Sequence, residues 1–168
     1  MNATFDPLAA LRVLNRHEVE YVVIGGYAGS ILGSPILTND LDLCYERSAE
    51  NMERLADALV ELRAKLRGVD DDVPFLLDAK TLAAGQNFTF STTAGALDVL
   101  GLPSGTSGFT DLATHAEKYE LGEGLAVQVA DLDDLIRMKL AARRTKDLMA
   151  VEVLKAVREE IGRTGPLR

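Results

Sequence analysis

The apolar run Tyr21-Val22-Val23-Ile24 ends on a diglycine, Gly25-Gly26, and a second apolar run opens on two acids separated by one leucine, Asp40-Leu41-Asp42. Acids at i and i+2 of a β-strand project to the same side of the sheet, because successive side chains alternate faces. Two carboxylates held on one face repel each other unless a cation lies between them, and an all-oxygen pair suits Mg²⁺. A glycine turn just upstream lets a phosphate chain approach the backbone closely. The pattern therefore predicts a strand over 21–24, a short helix over 27–32 and a second strand over 41–45. The chain must fold into a sheet that displays both acids beside the glycine turn.

Other readings of this segment fail on particular residues. A dinucleotide-binding G-x-G-x-x-G set from Gly25 needs glycines where Tyr27 and Ser30 stand, although Glu46 sits at a suitable distance for its acid. No Gly-Lys-Ser/Thr of the Walker type occurs anywhere. An in-line phosphoryl transfer with two metals needs a further shared ligand from another strand. Residues 86–91 and 96–100 read as a hairpin joined through 92–95. Asp98 is the one charge in its otherwise apolar second strand. A carboxylate in such a place is paired, at a strand end or on a metal, because burying it alone costs several kcal/mol, about 3 or more. Asp98 is thus a candidate for such a ligand, the alternative being an aspartate at the sheet rim.

A basic cluster lies later in the chain. Arg137, Lys139, Arg143, Arg144 and Lys146 fall in a stretch without acids. Asp131, Asp133 and Asp134 begin a helix in the expected manner, and Lys139 and Arg143 are i,i+4 neighbours on it. Lys146-Asp147 opens a following helix that runs to about residue 161.

These motifs resemble the polymerase-β-like nucleotidyltransferases, whose pattern is an apolar residue, Gly-Gly or Gly-Ser, a gap, then Asp–apolar–Asp/Glu–apolar. Thr38-Asn39-Asp40-Leu41-Asp42 looks most similar to AbiEii-type toxins of bacterial toxin–antitoxin pairs. The resemblance implies an α/β (α+β) nucleotidyltransferase fold, a small mixed sheet flanked by helices with a C-terminal helical pair. It implies transfer of a nucleotidyl group from an NTP, with Mg²⁺ or Mn²⁺ on Asp40, Asp42 and Asp98. Gly25, Gly26, Ser30, Thr38, Lys139 and Lys146 would bind the nucleotide. Lys139 would contact the triphosphate, and Asp147 would orient a lysine or assist the incoming hydroxyl. Acceptors in such families are tRNA 3′ ends, proteins or antibiotics, and a toxin would have a cognate antitoxin. The chain departs from the pattern at Ile24 and Ile36, where related toxins carry Lys and Arg, and at Gly26, where many superfamily members carry a hydroxyl.

At 168 residues the chain is expected to form one domain, with a core over about 18–130 and helices over about 131–162. A net charge of −8 speaks against broad nucleic-acid affinity and no DNA readout is expected, although a local basic face can serve an RNA acceptor. The single cysteine, Cys44, excludes an internal disulfide and fits a cytoplasmic protein; it shares strand parity with Asp40 and Asp42. With only His17 and His115 a zinc site is not expected. The uncharged stretch 21–39 is broken by glycines, serines and Pro35 and ends on the acids, so no membrane span is expected. Other expected elements are an N-terminal amphipathic helix after Pro7, a strong amphipathic helix over 49–66, a short helix over 78–84 and a strand over 125–129. Asp70-Asp71-Asp72 reads as a solvated loop, and 101–108 as a flexible segment bordering the site. Thr38 lies on the face of the two acids, so a phosphate there would add about −1.5 to −2 charges beside them and oppose cation binding.

Overall fold

The computed structural model describes residues 3–164, and these form a seven-stranded mixed sheet with helices around it. The elements are α1 (Pro7–Arg16), β1 (Tyr21–Ile24), α2 (Gly25–Ile31), β2 (Asp40–Tyr45), α3 (Ala49–Glu61), β3 (Lys65–Leu66) and α4 (Ala79–Ala84). They continue with β4 (Asn87–Thr92), β5 (Gly95–Leu100), α5 (Phe109–His115), β6 (Glu117–Glu120), β7 (Ala126–Val129), α6 (Leu132–Ala142) and α7 (Thr145–Thr164). The sheet order is β3-β4-β5-β2-β1-β7-β6. β2 runs antiparallel to β1 and parallel to β5, so the acids of β2 lie between the glycine turn on one side and Asp98 on the other.

Local chemistry explains most boundaries. Asp6, Ser48, Asp78 and Asp131 cap α1, α3, α4 and α6, each side chain accepting a backbone N–H of the first turn. Burial follows the patterns of period 2 and 3.6: Val22, Val23, Leu43, Leu55, Leu59, Phe90, Leu97, Val99 and Val129 are all inside. α1, α3 and α4 pack as one group, and α2, α6 and α7 as another.

Four boundaries differ from the sequence expectation. α3 stops at Glu61 rather than continuing to residue 66. Arg63 turns left-handed at φ 52°, and Leu66 leaves the helical pattern to pair with Phe90 at the sheet edge. The β4–β5 connection is shorter than 92–95, because Thr92 pairs with Gly95, whose φ of +98° suits a tight turn. α2 begins at Gly25, directly at the end of β1. α6 ends at Ala142; Arg143 is its exposed left-handed C-cap at φ 55°, so Arg143 does not continue the helical face of Lys139. β3, α5 and β6 are additions to the expected elements. β6, Glu117-Lys118-Tyr119-Glu120, has almost no apolar signal and is a strand because it pairs with β7 at the sheet edge.

Candidate active site

Asp40, Asp42 and Asp98 converge. The register of β2 on β5 sets Asp42 directly beside Asp98, and Asp40 lies one strand repeat away on the same face. One carboxylate oxygen from each comes within 4.8 Å of the others. The neighbourhood is half-closed, and this has an electrostatic consequence. Burial, then the charges of Asp40 and Asp98, push the Asp42 carboxyl up to about 7. Side-chain hydrogen bonding with Asp98 adds to the rise. Asp98 is itself raised, first by burial, with Arg67 holding it partly back. Three carboxylates with only oxygen donors, crowded enough to retain a proton, fit a small hard divalent cation such as Mg²⁺ or Mn²⁺.

The diglycine is explained by this cluster. Gly25 has φ +71°, and a Cβ on it would stand 2.1 Å from Asp42 Oδ2. Both the backbone angle and the space therefore require glycine. At Gly26 an added Cβ would lie 3.0 Å from Thr38 Oγ1. Thr38 Oγ1 donates to Asp40 Oδ1 at 3.0 Å, which places the hydroxyl between the glycine turn and the acids. Ser30 Oγ donates to the Gly26 carbonyl at 3.2 Å and ties the same turn from within α2. The N-cap of α2 is Ile24, which offers no side-chain cap to the first-turn N–H groups.

Facing Asp42 across a cleft of about 160 Å³ is the end of α6; Asp40 and Asp98 do not line this cleft. Gly25, Asp42, Ser104, Met138, Lys139 and Asp147 line it. Asp147 has no exposed surface, and it accepts from Lys139 Nζ at 3.2 Å and from Arg144 Nε at 2.7 Å. Burial raises the Asp147 carboxyl, but the two cations outweigh it, and the net shift is downward. The positive charge of Lys139 also reaches Asp42 and works against its protonation. α6 is fixed in turn by Arg137, which donates to both oxygens of Asp111 at 3.0 and 3.1 Å and to Asp134 at 3.0 Å. Residues 101–108 reach the cleft through Pro103 and Ser104, and Gly105 packs against the Arg137 carbonyl and Ala141.

Of the predicted residues, Gly25, Asp42, Lys139 and Asp147 line the cleft; Gly26, Ser30, Thr38, Asp40, Asp98 and the exposed Lys146 do not. Cys44 lies on the strand face of Asp42 but is fully buried, and burial, helped by the charge of Asp111, pushes its thiol up to about 12. It is a small core residue and no nucleophile. One participant escapes sequence reasoning altogether. Arg67 Nη2 donates to Asp98 Oδ1 at 2.7 Å, and nothing in its local sequence points to that partner.

Solved structures share this architecture. The lincosamide antibiotic adenylyltransferase LnuA, in its lincomycin-bound form, superposes with a TM-score of 0.62 at 13% identity, over 94% of this chain and 99% of that one. The chain has a nucleotidyltransferase fold. A putative nucleotidyltransferase from Thermotoga maritima matches with a TM-score of 0.50 at 17% identity, over 96% of this chain and 97% of that one. No protein-family model matches the sequence, and no curated protein matches it. Among the described residues, no helix is long and apolar enough to cross a membrane.

Proposed function

We propose that the chain is a nucleotidyltransferase that moves a nucleotidyl group from an NTP to an acceptor hydroxyl, with Mg²⁺ or Mn²⁺ held by Asp40, Asp42 and Asp98. The observation that carries this reading is the meeting of those three carboxylates beside Gly25, where a side chain would fill the space of Asp42 Oδ2. In the reaction the acceptor hydroxyl gives up its proton to a neighbouring carboxylate and on to solvent, its oxygen bonds to the α-phosphorus, the bond from that phosphorus to the bridging oxygen breaks, and pyrophosphate leaves. When bound, the cation neutralises triphosphate charge and makes the acceptor hydroxyl more acidic.

The residues of the chain divide the remaining work. Gly25 and Gly26 make space for Asp42 and Thr38, and the phosphates approach the backbone at the uncapped start of α2. Thr38 orders Asp40, and Ser30 orders the turn. Lys139, aimed by buried Asp147, balances charge on the β- and γ-phosphates. Asp98 completes the triad from β5, the strand on the far side of β2 from the glycine turn.

For the acceptor, the reading implied by the resemblance to AbiEii-type toxins is a tRNA 3′ end, in a toxin neutralised by an antitoxin. The exposed Arg143, Arg144 and Lys146 at the α6–α7 junction suit a phosphate backbone. A second reading, an antibiotic-type hydroxyl acceptor, is favoured by the likeness to the lincosamide adenylyltransferase over nearly its whole length. The test is incubation with each labelled NTP and Mg²⁺, in parallel with total bacterial RNA, with cell lysate and with a panel of hydroxylated antibiotics. Label that depends on Asp42 and moves to RNA supports the first reading; label moving to an antibiotic supports the second. No Asp42-dependent transfer to any acceptor would refute both.

A further inference from the structure

Arg67 pairs directly with the acid triad, and the sheet explains how it gets there. β3 is the edge strand, and just past it the Arg67 N–H donates to the Thr89 carbonyl at 2.9 Å. Thr89 stands opposite Asp98 across β4 and β5. The Arg67 side chain therefore crosses one strand to reach the acid. Its guanidinium is held at two points, Nη1 donating to the Phe90 carbonyl at 3.3 Å and Nη2 to Asp98 Oδ1 at 2.7 Å. A planar fork fixed in this way cannot swing aside as a lysine would. Oδ1 of Asp98 is thereby occupied, and a permanent positive charge stands beside the three carboxylates.

We infer that Arg67 is the positioning residue of Asp98, and that its fixed charge makes divalent-cation binding at the triad depend on bound triphosphate. The charge balance drives this. Arg67 is paired with Asp98, and Lys139, although its own partner is Asp147, also reaches Asp42, so the two cations lower the negative charge that a bare divalent ion would meet. A triphosphate brings several negative charges of its own, so cation and nucleotide load together. The triad is thus kept from filling without substrate. This inference rests on the metal-dependent reading proposed above.

The test is titration of the full-length protein with Mn²⁺, alone and with a non-hydrolysable NTP analogue, followed by calorimetry. Arg67→Gln is expected to bind Mn²⁺ alone on the order of tenfold more tightly, since one opposing charge is gone, and to gain less from the analogue. Arg67→Lys restores the charge without the fork, so its affinity for Mn²⁺ alone should return toward that of the wild type. Arg67→Met replaces Arg67→Gln if the latter does not melt cooperatively. A guanidinium that merely braces the sheet predicts the opposite sign. Equal or weaker Mn²⁺ affinity in Arg67→Gln, with the analogue effect unchanged, overturns the inference while Asp42-dependent binding in the wild type leaves the metal-dependent reading standing. Absence of Asp42-dependent Mn²⁺ binding in the wild type, with or without the analogue, removes both.

Discussion

Replacing Asp42 by asparagine should stabilise the cation-free protein, an uncommon outcome for a residue at the centre of a candidate active site. Protonation sets the sign of the effect. The Asp42 carboxyl is pushed up to about 7 from an ordinary 3.8, by burial first and then by Asp40 and Asp98. Between those two values the folded state binds a proton that the unfolded chain has released, so stability falls as pH rises. The loss begins near pH 4 and is complete a little above pH 7. That separation corresponds to about 4 kcal/mol if fully realised. Because the three acids titrate together and the site is partly open, about 1–3 kcal/mol is the expected size. An asparagine side chain in this place carries no charge, and its amide can donate to Asp98 as the protonated acid does. At pH 8 with chelator present, Asp42→Asn should therefore melt about 3–10 °C above the wild type, and the gap should close toward pH 5. Adding Mg²⁺ with NTP should raise the wild type by mass action and leave the variant unmoved. Thermal melts in chelator and in Mg²⁺ from about pH 5 to 8.5 measure all of this. A variant less stable than the wild type at pH 8, or a gap independent of pH, would show that Asp42 is not a strained carboxylate.

Other substitutions probe the parts around it. Gly25→Ala forces a side chain into φ +71° and onto Asp42 Oδ2; about 2–3 kcal/mol of stability should be lost together with the Mg²⁺-dependent shift, and a normal shift would mean the turn does not abut the acids. Lys139→Ala should cut nucleotidyl transfer on the order of a hundredfold with every acceptor, whereas Arg143→Ala should matter only when the acceptor is RNA; rate comparison on two acceptor types decides it. Asp147→Ala leaves two cations facing a buried void and should cost about 2–4 kcal/mol, seen as a melting point lower by about 5–15 °C, while Asp147→Asn, which still accepts hydrogen bonds, should lose less. Equal melting of the two variants would mean that Asp147 acts by shape and not by holding Lys139.

The parts of the site that can be read from sequence are those whose signal is local. Asp40 and Asp42 share a face because strands alternate, and the alternation is visible in Asp-Leu-Asp-Leu. Gly25 is visible because its place at the end of an apolar run marks a turn, although the sequence does not reveal that Asp42 occupies the space of its missing side chain. Asp98 stands out as a charge inside a run fit for burial, and its register beside Asp42 follows from the parallel pairing of β2 with β5. Arg67 has no such mark. Its role depends on where an edge strand of two residues pairs, and neither the length nor the composition of Lys65-Leu66 announces a strand. The same limit hides β6 and carries the periodic pattern of α3 too far, since Leu66 keeps helical spacing from Leu59 and Leu62 while its backbone belongs to the sheet. Asp147 is legible as a residue and illegible as an environment. The Lys-Asp pair marks it, but only the packing of α7 on α6 shows it fully buried between Lys139 and Arg144. Arg144 looks like an ordinary helix-end charge for the same reason. The acids therefore come from strand-local pattern, and the cations that balance them come from contacts between elements that the pattern does not connect. It follows that substitutions at the acids should remove cation binding, whereas substitutions at Arg67 should tune it through charge and those at Asp147 and Arg144 should report on how Lys139 is held.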